Sequence, residues 1–294
     1  MRPPLEKGKE MSSSLDRLIE IIPSLASLHA PSSPVYEFLA MAAREQLLPR
    51  FGEAAAGPQL LAPFGSLAFP YHRMGAIDSV DLFGLDELIL FAFYWRNRHR
   101  YKRVLDLGAN LGLHSIVLSK CGFSVRAYEP DPEHYRILCE NIALNSCHSV
   151  DPINAAVSDF DGDAEFIRVL GNTTSSHLAG SKDMPYGELE RFHVKVLAIR
   201  PLLAEADLVK LDVEGEERQV VCATKREDWE TLDMVMEVGT RESSSQVFEH
   251  CRALGLNLFV QRNGWAMVRD LTDMPTTYRD GSLFVTRRES GPWS

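Results

Sequence analysis

From residue 103 onward, short apolar runs alternate with segments of helix length, and this alternation limits the possible folds more than any other feature of the sequence. The runs are RVLDLG, SVRAYEP, VDPINAAVS, DLVKLDV, LDMVMEV, LNLFVQR and SLFVTRR. Strands that alternate with helices form a largely parallel sheet in an α/β sandwich. The last two runs are joined by a segment with little helical periodicity, so we expect them to form an antiparallel pair at the edge of the sheet.

The chain before this alternation has a different character. Residues 12–50 hold two amphipathic helical patterns separated by the breaker HAPSSP. Residues 85–96 are apolar on most faces, which predicts a buried helix leading into the first strand. With 294 residues, 45% of them hydrophobic, the chain can bury one large core plus a small appendage. We therefore predict a helical N-terminal extension over 1–80, which caps the site or mediates homo-oligomer contacts, and one main domain over 81–294.

The charge balance restricts the partners. The chain has 31 Lys and Arg residues against 41 Asp and Glu residues, a formal net charge of -10. Such a chain repels phosphate backbones, so we expect a small-molecule partner and no nucleic acid. No apolar run reaches the roughly 18 to 20 residues of a membrane span, and the first residues lack the apolar core of a signal peptide. We therefore expect no membrane partner and a cytoplasmic location.

The turn after the first strand has the character of a nucleotide-binding loop. The sequence VLDLGANLGLHS, residues 104–115, places Gly108, Asn110 and Gly112 between a strand and a helical pattern. Gly108 lets the backbone approach a ligand, Asn110 tolerates a positive φ, and Gly112 permits close packing of the next helix. The dinucleotide fingerprint G-x-G-x-x-G requires glycine at 110, so a nicotinamide cofactor does not follow from this turn.

Glu129 ends the second strand, about twenty residues after the glycine turn. An acid at this spacing accepts hydrogen bonds from the ribose hydroxyls of a bound nucleoside. The alternative interpretation is an exposed acid that precedes a proline turn.

Several carboxylates follow the fourth and fifth strands. Asp212 ends the fourth strand in ADLVKLDVEGEERQVV, Glu214 lies just beyond it, and Glu237 ends the fifth strand. Glu216 and Glu217 fall in the first turn of the next helix; we assign Glu216 to complementing the helix dipole and leave Glu217 open. Three carboxylates at neighbouring strand ends form a negative wall, against which a cation belongs. The sulfonium of S-adenosylmethionine fits, with its adenosine at the glycine turn and Glu129.

Taken together, these segments resemble a known family. VLDLGANLGLHS, YEPDPEHYRILCENIALN, NAAVSDFDGDAEF and LVKLDVEGEE, in this order, are similar to the FkbM family of S-adenosylmethionine-dependent methyltransferases. The resemblance covers about 87–237, and the edge strands extend it to residue 288. It implies a Rossmann-like class I methyltransferase sandwich, with a seven-strand, mostly parallel sheet and an antiparallel edge strand. It also implies O-methylation, often of sugar or polyketide hydroxyls.

The resemblance also assigns residues. Asp106, Gly108, Asn110 and Gly112 match the first cofactor motif, and Glu129 matches the acid that binds the ribose. Ala156 to Asp159 match the segment that flanks the adenine. The fourth-strand signature is matched by Lys210, Asp212, Glu214 and Gly215. His114 is a candidate for the methionine end of the cofactor; a histidine that faces solvent at the start of a helix is the equal alternative.

The catalytic assignment remains open between two roles. Asp212, Glu214 and Glu237 suit a general base or a divalent metal site. We favour the metal-free role because no Asn or His lies beside them to complete a coordination shell. The polar segment 168–196 is interpreted as an acceptor-side loop, in which His177 is a candidate base or an ordinary flexible-loop histidine.

Three functions compete. The first is an O-methyltransferase that acts on a hydroxyl of a small molecule or sugar. The second is an NAD-dependent oxidoreductase, which leaves KLDVEGEE unexplained. The third is a non-catalytic methyltransferase-like binding protein, against which the intact cofactor motif argues. The first is therefore favoured.

Overall fold

The computed structural model describes residues 13–181 and 187–294. It begins with two helices, α1 (Ser14–Ile21) and α2 (Pro34–Phe51), joined by the 3-10 segment Ile22–Leu28. The Ser13 hydroxyl accepts from the Asp16 amide at 3.1 Å, and the Asp16 carboxylate accepts from the Ser13 amide at 3.0 Å. This reciprocal pair satisfies amides that α1 leaves without intrahelical partners. Most of residues 14–51 is therefore helical.

Two short hairpins, absent from the sequence prediction, connect these helices to the main domain. Their strands are β1 (Gln59–Leu61), β2 (Gly65–Leu67), β3 (Arg73–Met74) and β4 (Ile77–Asp78). The 3-10 turn Asp81–Phe83 and helix α3 (Leu85–Arg96) follow. Helix α3 is buried over most of its length, as its sequence predicts. The rings of Phe51 and Phe83 stack with their centroids 4.3 Å apart, so the extension shares its core with the rest of the chain.

The remaining elements form the main domain. In chain order they are β5 (Arg103–Leu107), α4 (Leu113–Lys120), β6 (Ser124–Tyr128), α5 (Pro132–Leu144), β7 (Val150–Ile153), β8 (Ala156–Ser158), β9 (Gly162–Val169), β10 (His177–Leu178), β11 (Leu189–Ala198), α6 (Ile199–Leu203), β12 (Leu208–Leu211), α7 (Glu217–Cys222), β13 (Asp233–Met236), α8 (Arg241–Leu254), β14 (Asn257–Val260), β15 (Ala266–Met267) and β16 (Leu283–Thr286).

The main sheet confirms the predicted α/β fold. Its strand order is β15-β14-β16-β13-β12-β5-β6-β7, and β7, β6, β5, β12 and β13 are parallel. All seven predicted strands are present, and the last two, β14 and β16, form the expected antiparallel pair. Strand β16 also pairs antiparallel with β13, so it lies between β13 and β14. The two-residue strand β15 adds an unpredicted eighth member.

The register of the central strands creates the site. Leu211 pairs with Leu107 of β5 and with Met236 of β13, so these three strands end at the same level. The residues that follow them therefore meet at one edge of the sheet, where open α/β sheets bind ligands.

The interpretation of 168–196 as a polar loop is wrong over its described part. A second sheet with the order β10-β9-β11-β8 occupies this region. Phe166 pairs with Phe192, and Ala164 with Val194, which places apolar side chains on one face. The opposite face carries charges such as the Arg191–Glu165 ion pair at 2.7 Å. Because charged residues alternate with the apolar ones, the segment has a polar composition although it forms strands.

Candidate functional site

A cleft of about 220 Å³ lies at the carboxyl edge of the main sheet. The turns after β5, β6, β12 and β13 form its floor, and strands β8 to β10 of the second sheet form one wall. Seven predicted site residues line it: Gly108, Asn110, Glu129, Ala156, Asp212, Glu214 and Glu237. Seven others do not: Asp106, Gly112, His114, Asp159, His177, Lys210 and Gly215. The structure thus unites residues that are far apart in the sequence.

The glycine turn is shaped by its protein neighbours. Gly108 has a φ of 76°, and a β-carbon there would lie 1.7 Å from the backbone oxygen of Asp212. Gly112 has a φ of 88°, and a β-carbon there would lie 2.4 Å from Leu138 Cδ1 of α5. Asn110 adopts the left-handed φ of 51° that its residue type tolerates. Gly108 therefore permits contact with the end of the neighbouring strand β12. Gly112 permits the predicted close packing of the helices.

Glu129 is buried beneath this turn. Its Oε2 accepts from the Asn110 amide at 2.8 Å, and its Oε1 accepts from the Asp131 amide at 2.9 Å. Burial raises the pKa of Glu129 to about 8, although these two backbone hydrogen bonds oppose the rise. Each carboxylate oxygen has two lone pairs, so both can accept a further hydrogen bond. Glu129 is therefore not an exposed acid before a proline turn.

The Oδ1 atom of Asn110 is buried and has no hydrogen-bond partner among the described residues. Buried polar atoms in proteins are nearly always hydrogen-bonded. Because Asn110 lines the cleft, this acceptor is suited to a donor group of a ligand.

Four carboxylates line the other end of the cleft: Asp212, Glu214, Glu237 and Glu87. Burial raises the pKa of Glu237 well above its usual range, and Asp212, Glu87 and Asp86 reinforce the shift. The raised pKa favours the protonated form of Glu237. The end of the cleft is acidic, as the sequence predicts, and the neutral acid form of Glu237 can donate a hydrogen bond.

Lys210 supports this acidic end from inside the sheet. Its buried ammonium donates to the Gly108 backbone oxygen at 3.0 Å and to Asp212 at 3.3 Å, and it lies 3.6 Å from Asp106. Burial acts to lower its pKa, but Asp212 and Asp106 raise it above the usual value. Lys210 therefore stays charged and ties the ends of β5 and β12 together.

The loop after β12 is held by acids of the VEGEE motif. Glu214 and Gly215 adopt φ values of 55° and 115°. The Glu217 carboxylate accepts from the Val213 amide at 3.1 Å and from the Gly215 amide at 2.9 Å, and burial raises its pKa to about 7. Glu217 therefore fixes the shape of the loop that carries Glu214.

The assignment of Glu216 to the helix dipole alone is wrong. Glu216 is buried, lines the cleft and accepts hydrogen bonds from the hydroxyls of Ser158 and Ser181. It therefore links the end of the second sheet to the start of α7.

Asp106 lies behind the cleft. It is fully buried, and its Oδ2 accepts from the Ser115 hydroxyl at 2.6 Å. Asp106 and the nearby Lys210 therefore support the glycine turn from behind. Asp106 has no exposed surface that a cofactor could contact.

Two further predictions require correction. Asp159 is exposed outside the cleft, because β8 leaves the main sheet and carries the chain away from the expected adenine position. His177 is buried in β10, where its Nδ1 lies 2.9 Å from the Ser175 backbone oxygen. Its neighbours Ser176 and Leu178 line the cleft, but successive strand residues face opposite sides. His177 is therefore neither a flexible-loop histidine nor a base that lines the cleft.

His114 occupies neither of its two predicted places. It is buried, with Nδ1 at 2.9 Å from the Tyr94 hydroxyl and Nε2 at 2.7 Å from Glu87 Oε2. Glu87 in turn lines the cleft. Sequence analysis missed Glu87 because an acid in the first turn of α3 has the ordinary role of complementing the helix dipole.

Residues 13–181 and 187–294 contain no group of three or more His, Cys, Asp or Glu side chains that could hold a metal ion. Nor does any helix in this part of the chain combine the length and apolar character needed to cross a membrane.

The sequence is similar to a family model and to proteins of known function. A family model described as the methyltransferase FkbM domain matches residues 106–261, more than half of the chain. The methyltransferase sdnD of Sordaria araneosa is 27% identical over 199 residues, which cover 55% of this chain and 76% of that protein. The 31-O-demethyl-FK506 methyltransferase FkbM of Streptomyces tacrolimicus is 27% identical over 165 residues, which cover 45% of this chain and 63% of that protein.

A solved structure shows a more distant similarity. The precorrin-6y C5,15-methyltransferase of Geobacter metallireducens is 13% identical with a TM-score of 0.38, over 68% of this chain and 86% of that chain. The family model, which spans the glycine turn, Glu129 and the acidic strand ends, decides the assignment. The chain belongs to the FkbM family of S-adenosylmethionine-dependent methyltransferases.

Proposed function

We propose that the protein transfers a methyl group from S-adenosylmethionine to a hydroxyl oxygen of a small molecule or sugar. The observation that carries the proposal is the cleft in which Asn110 and Glu129 meet the acidic strand ends of Asp212, Glu214 and Glu237. The family assignment favours this function over hydride transfer and over a non-catalytic binding role.

The cleft residues fit the nucleoside part of the cofactor. Glu129 would accept hydrogen bonds from the ribose hydroxyls, because both of its oxygens keep acceptor capacity. The unpartnered Oδ1 of Asn110 provides a further acceptor. Ala156, Phe166 and Leu178 form an apolar wall suited to the adenine ring. Asp159 has no part in this arrangement.

The acidic end fits the reacting group. When bound, S-adenosylmethionine supplies a methyl group on a positively charged sulfur. The carboxylates of Asp212 and Glu214 attract a positive charge and have no such attraction for a neutral thioether. The same residues therefore favour release of the demethylated product over release of the cofactor.

Asp212 is our candidate for the residue that orients the acceptor and takes its proton. Its side chain is 36% exposed and borders the cleft, while Lys210 holds it from behind. Glu237, whose raised pKa favours the neutral acid, instead suits donation of a hydrogen bond to the acceptor. Positioning of a hydroxyl beside an acceptor of its proton provides what in-line methyl transfer requires of a protein.

The nature of the acceptor is inferred from charge and from a relative. The net charge of -10 and the acidic cleft disfavour polyanionic acceptors. The Streptomyces tacrolimicus relative is a methyltransferase of 31-O-demethyl-FK506, which supports an oxygen acceptor here.

We also propose that residues 1–80 shape the acceptor side of the cleft. Burial raises the pKa of Asp86, and hydrogen bonds from Tyr36 and Gln261 oppose the rise. Tyr36 belongs to α2, so the extension reaches the residue next to Glu87. Leu82, just beyond the proposed boundary, lines the cleft itself.

Isothermal titration with S-adenosylmethionine, and with NAD as control, tests the cofactor. Transfer is tested by incubation with methyl-labelled S-adenosylmethionine and a small-molecule extract of the source organism, followed by carbon NMR of the labelled product. An O-methyl resonance is expected. Labelled methyl on nitrogen or carbon would overturn the acceptor proposal and leave the family assignment intact.

A further inference from the structure

Glu87 is held from behind by two buried side chains. The Tyr94 hydroxyl lies 2.9 Å from His114 Nδ1, and His114 Nε2 lies 2.7 Å from Glu87 Oε2. Tyr94 is fully buried, and burial raises its pKa well above the usual value, so the phenol keeps its proton. The phenol can therefore donate to Nδ1, and an imidazole that accepts this hydrogen bond carries its proton on Nε2 and donates it to Glu87.

The hydrogen bonds from Tyr94 through His114 fix one carboxylate oxygen of Glu87 and leave the other for a ligand. Glu87 Oε1 makes no hydrogen bond within the described residues, and the Glu87 side chain, 28% exposed, borders the cleft. A carboxylate held by a donor on one oxygen presents the other in a defined direction.

Glu87 is connected to the helix that follows the glycine turn through its contact with His114. His114 is the second residue of α4, which begins directly after Gly112 of the glycine turn. A nucleoside bound at Glu129 and Asn110 would continue along this turn toward Asp212 and Glu87. The amino-acid part of S-adenosylmethionine follows the sulfur, and its ammonium is the group there that can donate to a carboxylate.

We propose that Glu87 binds the α-ammonium group of the cofactor, and that His114 and Tyr94 are the positioning residues that orient its carboxylate. This inference rests on the proposed function. It gives His114 a role at the methionine end without direct contact.

The surrounding charges agree with a cationic ligand group. Asp212, Glu214 and Glu237 line this end of the cleft, and Asp86 lies near enough to Glu237 to raise its pKa. Lys210 is attracted to Glu87 from inside the sheet. One buried ammonium faces several carboxyl groups, so the site accommodates a second positive charge.

The test compares ligands that differ in one group. S-Adenosylhomocysteine carries the ammonium, and 5′-S-(3-carboxypropyl)-5′-thioadenosine differs from it only in lacking the amino group. 5′-Methylthioadenosine lacks the whole amino-acid part. Isothermal titration of all three into the wild-type protein and into Glu87→Gln gives the coupling between the ammonium and the carboxylate.

We expect the wild-type protein to prefer S-adenosylhomocysteine over the deaminated analogue by about tenfold or more. In Glu87→Gln this preference should fall below about threefold, with the affinity for 5′-methylthioadenosine unchanged. A preference that persists in Glu87→Gln would overturn the inference. If the wild-type protein bound none of the three adenosine ligands, the proposed function itself would fail.

The positioning role has its own readout. His114→Phe should reduce the preference for the ammonium without changing 5′-methylthioadenosine binding, and His114→Gln, which retains an amide donor, should restore part of it. Tyr94→Phe, which loses only a hydroxyl, serves if the histidine variants fail to fold. An equal loss of affinity for all three ligands would show a merely structural role and overturn this part.

Discussion

A β-carbon at Gly108 would lie 1.7 Å from the backbone oxygen of Asp212. The glycine turn and the acidic strand end are therefore in direct contact, and the shape of one depends on the other. We predict that Gly108→Ala costs more than about 3 kcal/mol of unfolding free energy, because backbone atoms must move in addition to the strain at φ 76°.

The matched control is Gly122→Ala. Gly122 has a φ of 92°, but a β-carbon there would have no described atom within 4 Å beyond its chain neighbours. Only the left-handed conformation is then penalised, by about 1–2 kcal/mol. Denaturant unfolding of both variants gives the comparison. Equal losses in the two proteins would show that the contact with Asp212 is unimportant.

Glu129→Gln is predicted to weaken S-adenosylmethionine binding by about tenfold to a hundredfold, because hydrogen bonds to an ionised carboxylate contribute roughly 1.5–3 kcal/mol. Isothermal titration measures the change. Glu133→Gln, at an exposed position of α5, should bind normally. Unchanged affinity in a folded Glu129→Gln protein would refute the ribose assignment.

The pKa of Glu129, raised by burial to about 8, predicts a pH dependence of binding. Ribose hydroxyls donate best to the ionised carboxylate, so affinity should increase between about pH 6.5 and 9, and binding near neutral pH should release protons. Titrations in buffers of different ionisation enthalpy detect this release. Glu129→Gln should lose the released proton; the same proton count in the variant would assign it to another group.

The same pKa predicts the opposite trend for stability. Between about pH 4.5 and 8 the folded protein keeps a proton on Glu129 that the unfolded chain has lost. The contribution of this group to the free energy of unfolding is therefore full below pH 4.5 and falls as the pH rises through that window. The free energy of unfolding should be greater for the wild type than for Glu129→Gln at low pH, and this difference should shrink as the pH rises through the window.

Asp212→Asn is predicted to lower kcat by about a hundredfold or more, because an amide cannot take a proton. The affinity for 5′-methylthioadenosine, which carries neither the sulfonium nor the ammonium, should change by less than about threefold, since Asp106 and the Gly108 backbone oxygen still hold Lys210. EDTA should have little effect on the wild-type rate. Loss of activity on chelation, with recovery on addition of Mg²⁺ or Ca²⁺, would make the acidic residues metal ligands instead.

A chain that begins at Asp81 is predicted not to fold cooperatively. Leu15, Leu47 and Phe51 of the extension are buried in one cluster with Val104 and Ile116 of the main domain. Their removal exposes that cluster, and a single buried leucine truncated to alanine already costs about 2–5 kcal/mol. Loss of the cooperative thermal transition is the expected result; a cooperative, cofactor-binding fragment would mean that the extension is dispensable for the fold.

The sequence by itself determined the features that depend on local pattern. Alternating runs specified seven of the eight strands of the main sheet, and the parallel order placed Glu129, Asp212, Glu214 and Glu237 at strand ends. Asn110 was expected from its residue type to tolerate a positive φ, and it adopts one. These outcomes follow because strand formation and turn conformation depend mainly on residues close in the chain.

Only the tertiary structure decided which side chains face the cleft. Glu87 and His114 are 27 residues apart, and their contact depends on how α3 packs against α4. Asp159 and His177 do not line the cleft, because β8 to β11 pair into a second sheet whose strands direct alternate residues to opposite faces. Such pairings are set by burial of apolar faces between distant segments, and a local pattern shared by loops and edge strands does not specify them.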